Sequence, residues 1–240
     1  MCLALLSYGL SEPLSRDRPP VMATVRYAPS MRRPIGQHAG LTKASIVEAA
    51  VTLVNRAGPA ALTMSSVARD LGVSQPALYS HFSNLQGLQA AVTFAANDVL
   101  EQRLLQAVEV GRGDRPLMAL AEAYRAYVRE FPDLYLLQMR GIRDSDPLIA
   151  AVQQAKAIEA GEVVRSALRT YGVDEELVAN VHVGLRAAIH GFAHLEAQSA
   201  LGWDADGDAA FRVFLELVAR GLTAITNRQS SAQATAAPGS

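Results

Sequence analysis

Polar and aromatic side chains cluster within residues 74–81, the stretch best suited to contact another molecule. The amide of Gln75 can both donate to and accept from the edge of an adenine, and Ala77 is small enough to meet a thymine methyl group. The hydroxyl of Tyr79 and the imidazole of His81 can donate to phosphate oxygens. Such a polar, aromatic and small face predicts a helix that lies in the DNA major groove.

Two short helices joined by a tight turn must hold these side chains. Thr63 is a suitable N-cap for the first helix, and Gly72 ends it because glycine adopts a positive φ without strain. Ser74 is placed to cap the second helix, and Pro76 lies in the first turn, where its missing N–H would have had no partner. The inward positions are apolar at helical spacing: Val67, Ala68 and Leu71, then Leu78 and Phe82.

The chain resembles the N-terminal DNA-binding domain of the TetR/AcrR family over roughly Leu41 to Val92. The resemblance is carried by LTKASIVEAAVTLVNRAG and LTMSSVARDLGVSQPALYSHFSNLQGL. The segment from Gln75 to Tyr79, with His81, is similar to the recognition helix of the tetracycline repressor. Leu85 departs from the family pattern, because a phosphate-binding lysine usually stands there.

This resemblance implies a sequence-specific transcriptional regulator that binds a double-stranded DNA operator as a homodimer. The residues expected to contact DNA are Thr63, Ser65, Ser74, Gln75, Pro76, Ala77, Tyr79, Ser80 and His81. Gln75 is the expected base reader, and most of the others are expected to meet phosphates. The implied fold is all-α, with about nine helices: an N-terminal three-helix helix-turn-helix domain and a C-terminal helical domain for ligand binding and dimerisation.

Composition agrees with a helical protein that meets nucleic acid at one end. Half of the 240 residues are hydrophobic and 6% are aromatic. Residues 1–87 have a net charge of +4, whereas residues 88–240 have −5. Cys2 is the single cysteine, so no intrachain disulfide can form. No run approaches the ~20 apolar residues of a membrane helix, and we expect a cytoplasmic protein.

We expect four segments: a disordered arm over residues 1–40, the DNA-binding domain over 41–101, the regulatory and dimerisation domain over 102–227, and a disordered tail over 228–240. The arm is rich in proline and shows no helical period. Three of its arginines, Arg26, Arg32 and Arg33, fit either a solvated tail or an arm that reaches the minor groove. Met1, Met22 and Met31 are alternative starts.

Aromatic and apolar side chains recur at spacings of three and four from Leu117 to Phe131, which predicts a helix with a buried face. Such a face is typical of plain core, but the family resemblance implies an inducer pocket in this region. The pocket candidates are Tyr124, Tyr127, Phe131, Tyr135 and Met139, with Arg125, Arg140 or Arg186 as polar anchors. They predict a small, hydrophobic effector.

The last two helices carry apolar faces that suit a four-helix dimer interface. The expected interface residues are Ile189, Phe192, Phe211, Phe214, Val218, Leu222 and Ile225. The segments GLRAAIHGFAHLEAQSALG and DAAFRVFLELVARGL also resemble the WHG-type C-terminal domain of some TetR regulators, although Arg186 stands where that name suggests a tryptophan.

Sequence patterns give little support for catalysis or for a metal site. His190 and His194 lie one helical turn apart near Glu196, but there is no HExxH pattern, and paired histidines on a helix are usually structural. No nucleophile elbow or phosphate loop occurs, so we expect no metal, no cofactor and no enzymatic activity. Three functions stay open: a repressor released by a ligand, a DNA-binding protein without a ligand, and a helical enzyme carrying a DNA-binding domain.

Overall fold

The computed structural model of the protein describes residues 40–110, 116–140, 158, 161–202 and 206–236. Within these residues the chain forms nine α-helices, one turn of 3-10 helix and no strand, which confirms the predicted all-α class. The helices are α1 (Lys43–Ala57), α2 (Met64–Leu71), α3 (Gln75–Tyr79), α4 (Leu85–Val110), α5 (Pro116–Glu130), α6 (Pro132–Arg140), α7 (161–170), α8 (Glu175–Ala197) and α9 (Gly207–Ala236). The arm predicted for the N-terminus lies outside the described residues, apart from Gly40.

The first three helices pack around a small apolar core. Its fully buried members are Ile46, Ala50 and Val54 from α1, Val67 from α2 and Leu78 from α3. Thr42 closes α1 with a capping box, because its hydroxyl accepts from the Ser45 amide at 3.1 Å while Ser45 Oγ accepts from the Thr42 amide at 3.1 Å. The Thr63 hydroxyl likewise accepts from the Ser66 amide at 3.1 Å, which confirms the cap predicted for α2.

Several helix ends differ from the sequence predictions. Helix α3 ends at Tyr79, so Ser80 and His81 of the predicted contact stretch lie just beyond it. Ser74 and Asp174 stand at the N-cap positions of α3 and α8 but make no side-chain capping bond. Helix α9 continues to Ala236, so the polar segment assigned to a tail is helical over most of its length.

The long helix α4 leaves the DNA-binding unit and packs along α5 in the body. Helix α6 contacts α1, the 3-10 turn Pro59–Ala61, α4 and α5. It therefore touches both the first helix of the DNA-binding unit and the helices of the body. None of the described helices is long and apolar enough to cross a membrane.

Candidate nucleic-acid interface and ligand cavity

The turn between α2 and α3 is fixed by Gly72, which adopts the left-handed conformation with φ 68° and ψ 28°. Its amide donates to the Arg69 carbonyl at 3.2 Å, and the next amide, of Val73, donates to the Ala68 carbonyl at 3.0 Å. A side chain at residue 72 would strain this backbone. The glycine therefore sets the angle at which α3 leaves α2.

Helix α3 presents its predicted contact residues to solvent. Leu78 is fully buried and Phe82 nearly so, and together they anchor the helix to the core. Gln75, Pro76, Tyr79 and Ser80 are exposed, while Ala77 and His81 are half-buried. The Gln75 amide nitrogen donates to the Tyr79 hydroxyl at 3.4 Å, one helical turn away. The outer face of α3 is thus a polar surface with a preformed amide and phenol pair.

The start of α2 adds three hydroxyl groups beside this surface. Thr63 Oγ1 lies 3.1 Å from Ser65 Oγ and 2.7 Å from Ser66 Oγ. Ser65 is exposed, whereas Thr63 is half-buried and already acts as the helix cap. Lys43 is exposed nearby, with its ammonium 5.9 Å from the centre of the Phe82 ring. Leu85 is half-buried and packs on the core, so the usual lysine position carries no phosphate-binding charge.

A cavity of about 200 Å³ lies in the body of the protein. Its walls come from six helices, α4 to α9, and are predominantly apolar. Asn97, Leu100 and Leu104 contribute the α4 wall. The helix that continues from the DNA-binding unit is therefore in direct contact with the cavity.

The polar groups that line the cavity are arranged around His190. The Tyr124 hydroxyl lies 2.8 Å from His190 Nδ1, and the two ring centres are 4.6 Å apart. The Tyr135 hydroxyl donates to the His190 carbonyl oxygen at 3.5 Å. Burial, and then the positive charge of Arg186, lower the pKa of His190 to about 4. The imidazole is consequently neutral near pH 7, and burial also raises the pKa of Tyr124 well above its ordinary value.

Comparison with known proteins agrees with this architecture. Residues 46–92 match the family described as "Bacterial regulatory proteins, tetR family", and residues 117–218 match "Tetracyclin repressor-like, C-terminal domain". The chain is 31% identical to the uncharacterized HTH-type transcriptional regulator Rv0681 of Mycobacterium tuberculosis over 200 residues, covering 82% of this chain and 89% of that protein. The chain belongs to the TetR family of DNA-binding transcriptional regulators.

Two solved structures illustrate the TetR fold in complexes. BioQ with its natural double-stranded DNA operator is 28% identical, with a TM-score of 0.52, and the match covers 76% of this chain and 98% of that one. A substituted form of TetR from Acinetobacter baumannii in complex with minocycline is 24% identical, with a TM-score of 0.58, and the match covers 78% of this chain and 99% of that one. The second likeness bears on the fold alone.

The structure of this TetR-family chain brings together three of the five predicted pocket residues. Tyr124, Tyr135 and Met139 line the cavity, but Tyr127 and Phe131 do not. The Tyr127 hydroxyl points instead toward α4, where it donates to the Ala96 carbonyl at 3.3 Å and to Gln138 Oε1 at 3.0 Å. Positions three apart on a helix differ by about 60° in direction, so Tyr124 and Tyr127 meet different neighbours.

Of the three arginines predicted as polar anchors, one is found at the cavity. Arg186 lines the cavity and is exposed, which places it at the mouth. Arg125 is buried away from the cavity, where it binds both carboxylate oxygens of Glu196 and lies 2.8 Å from Asp208 Oδ1. The side chain of Arg140 lies outside the described part of the structure. Because Glu196 is held by Arg125, it is not free to join His190 and His194 in a metal site.

The expected dimer-interface residues pack mainly inside the chain. Phe211 and Leu222 are buried, and the rings of Phe192, Phe211 and Phe214 lie 5.0–5.8 Å apart in one intrachain cluster. Ile189, Phe214 and Val218 line the cavity, and Ile225 is half-buried. The most hydrophobic faces of α8 and α9 therefore contribute to the core of their own chain, and the interface role of these residues stays a prediction.

Sequence reasoning missed the cavity roles of Asn97, Gln138 and His190. The Gln138 amide nitrogen donates to Asn97 Oδ1 at 2.6 Å, which joins α6 to α4 at the cavity wall. The sequence offered one signal, since both residues are polar within otherwise apolar helix faces. His190 was considered as a metal ligand, but its spacing gave no indication that Tyr124 would be its partner.

Proposed function

We propose that the protein is a homodimeric repressor that binds a palindromic operator and is released by a small hydrophobic molecule. The observation that carries this proposal is the wall that α4 contributes to the cavity through Asn97, Leu100 and Leu104. An occupant of the cavity would contact the same helix that emerges from the DNA-binding unit. The existence of a TetR-fold structure with its DNA operator supports the DNA partner.

The exposed face of α3 supplies the operator contacts in this proposal. Gln75 reads a base edge, and Tyr79, Ser80 and His81, with Ser65 of α2, contact the backbone. Two recognition helices in a dimer would read half-sites about 34–36 Å apart or at a multiple of that distance. The acidic body and the more basic head favour an approach through this end.

The DNA-reading role is tested by a binding-site selection with the parent and Gln75→Ala. We expect the variant to lose preference at one base pair in each half-site, by about 1–3 kcal/mol, because the bidentate amide contact is lost. Gln106→Ala is the matched control, since Gln106 is an exposed glutamine on α4. An unchanged motif for Gln75→Ala would refute the assignment.

Ligand release is tested by screening small apolar molecules in a thermal-shift assay and then titrating operator DNA with each binder. Binders that raise the operator dissociation constant support the proposal, and binders that leave it unchanged contradict release. The cavity beside Tyr124 favours this function over a ligand-independent DNA-binding protein, because a protein of that kind needs no cavity. Its volume is nevertheless below the ~300–1,000 Å³ of pockets for drug-sized ligands.

The proposed dimer interface uses the exposed sides of α8 and α9. Val183 and Leu195 of α8 are 65% and 46% exposed, and Val213 and Leu217 of α9 are 57% and 65% exposed. Exposed small residues accompany them: Gly184, Ala187, Ala188 and Gly191 on α8, and Gly221 and Ala224 on α9. These stripes allow close approach of helices and have the apolar character that an isologous interface buries.

A further inference from the structure

The charge on the described cavity wall is of one sign. The described lining residues include Arg186 and no aspartate or glutamate. Six other arginines of the body are each bound to a carboxylate: Arg103, Arg125, Arg129, Arg165, Arg169 and Arg220. Arg186 has no such ion pair among the described residues. A positive charge without a partner at the mouth of an apolar cavity is an arrangement that an anion would complete.

We propose that the effector is a small monocarboxylic acid, with its hydrocarbon part in the cavity and its carboxylate at Arg186. The cavity and its charge define this ligand class. The consequence for DNA rests on the proposed function, because release of the operator requires that occupation of the cavity is coupled to α4.

The size of the cavity limits the hydrocarbon part. A dry cavity of ~150 Å³ in another protein accommodates benzene. The present cavity, at about 200 Å³, is somewhat larger. It therefore suits an acid with a single aromatic ring or a chain of roughly eight carbons. Fused-ring drugs exceed this volume.

The inner polar groups suit a neutral hydrogen bond rather than a second charge. Among the described residues, the His190 ring has one hydrogen-bond partner, Tyr124, which it contacts through Nδ1. The second ring nitrogen, Nε2, is therefore left for a ligand. When the Tyr124 hydroxyl donates to Nδ1, Nε2 carries the proton and donates to an acceptor. His182 also lines the cavity, and burial followed by the charges of Arg165 and Arg186 lowers its pKa. The described cavity wall carries no negative charge that could pair with a cationic ligand.

The test uses the full-length protein and three probes with the same chain: octanoate, octan-1-ol and octylamine. Calorimetric titrations at pH 7.5 should show that octanoate binds more tightly than octan-1-ol and that octylamine binds most weakly. Arg186→Gln should weaken octanoate by about threefold to tenfold, the range for a partly exposed charged hydrogen bond. The same change should leave octan-1-ol within about twofold, because the alcohol has no charge to pair.

Two further variants test whether the effect is specific to Arg186 and whether the probes bind in the cavity. Arg212→Gln removes an exposed charge from α9 and should leave all three affinities unchanged. Val164→Phe places a larger ring at the cavity wall and should weaken all three probes. The proposal is overturned if octan-1-ol or octylamine binds as tightly as octanoate, if no probe binds, or if Arg186→Gln and Arg212→Gln have the same effect.

A parallel operator titration separates this inference from the proposed function. If octanoate binds with the expected dependence on Arg186 but leaves operator affinity unchanged, the ligand class stands and the release mechanism fails. If octanoate does not bind while another apolar molecule releases the operator, the ligand class fails and the release mechanism stands.

Discussion

At the residue scale, His190 shows how one buried group can make stability depend on pH. Its ring faces Tyr124 of α5, Tyr135 of α6, and Arg186 on its own helix, with His194 one turn further along. The folded-state pKa is about 4, below the ordinary value of 6.5. Between these pH values the unfolded chain binds a proton that the folded chain does not. This contribution to stability is therefore complete above pH 6.5 and is lost as the pH falls toward 4.

We predict that His190→Phe flattens the pH dependence of the unfolding free energy across this interval. Each pH unit is worth at most about 1.4 kcal/mol for one fully displaced proton. Chemical denaturation of parent and variant at pH 7, 6, 5 and 4.5 gives the unfolding free energy of each protein. The difference between the two removes the contribution of the carboxylates that both proteins share. His81→Phe is the control, because that half-buried histidine lies outside the body. Parallel curves for parent and His190→Phe would show that the buried ring is not responsible.

At the element scale, the sequence was most informative where one residue sets a helix end. Thr42, Thr63 and Gly72 each act through the local backbone, so their roles follow from residue type and position. Ser74 and Asp174 occupy similar positions without a side-chain bond, because a suitable residue type does not fix the rotamer. Apolar spacing also located α8 and α9, but both helices carry apolar residues on two sides. Only packing decides which side becomes core.

An ion cluster joins three elements that are distant in sequence. The Arg125 guanidinium of α5 binds Glu196 near the end of α8 and Asp208 at the start of α9. It also lies 4.6 Å from the centre of the Phe211 ring. The pair is well shielded, since the Arg125 and Glu196 side chains are 10% and 16% exposed. This cluster fixes the junction between α8 and α9 against α5.

We predict that Glu196→Gln lowers the unfolding free energy by about 2–3 kcal/mol, because it leaves Arg125 buried with only the exposed Asp208 as a charged partner. The matched control is Glu216→Gln. Its partner Arg220 is exposed at 2.5 Å on the same helix, and such a pair is worth ~1 kcal/mol or less. Urea denaturation of the two variants gives the comparison. Equal losses would mean that the buried cluster contributes no more than a surface pair.

At the scale of the whole molecule, the proposed dimer interface can be tested through its exposed apolar residues. Leu217→Glu together with Val183→Glu should produce monomers, because both exposed apolar side chains lie on the proposed interface stripes. Substitution of the buried Leu222 would instead damage the core of each chain. Leu105→Glu is the control, since Leu105 is 45% exposed on α4. Analytical ultracentrifugation with circular dichroism separates dissociation from unfolding, and a folded double variant that is still dimeric would place the interface elsewhere.

The final prediction concerns how the cavity communicates with the DNA-binding unit. Gln138 of α6 donates to Asn97 of α4 and accepts from Tyr127 of α5, and both amide residues also line the cavity. Helix α6 in turn contacts α1. An occupant that disturbs this three-residue link would act on α4 and α1 together. The polar link, rather than the aromatic residues that the family resemblance indicated as a pocket, is thus the expected site of coupling.

We predict that Gln138→Leu weakens the effect of ligand on operator binding while leaving ligand-free operator affinity within about threefold. Tyr127 keeps its bond to the Ala96 carbonyl, so the variant does not leave that buried hydroxyl unpaired. Because coupling is reciprocal, the ratio of ligand affinities with and without operator should fall by the same factor as the ratio of operator affinities with and without ligand. A loss of ~0.5–2 kcal/mol corresponds to about twofold to thirtyfold in this ratio. Gln106→Leu is the exposed control on α4, and an equal ratio in parent and Gln138→Leu would exclude the link as the route of coupling.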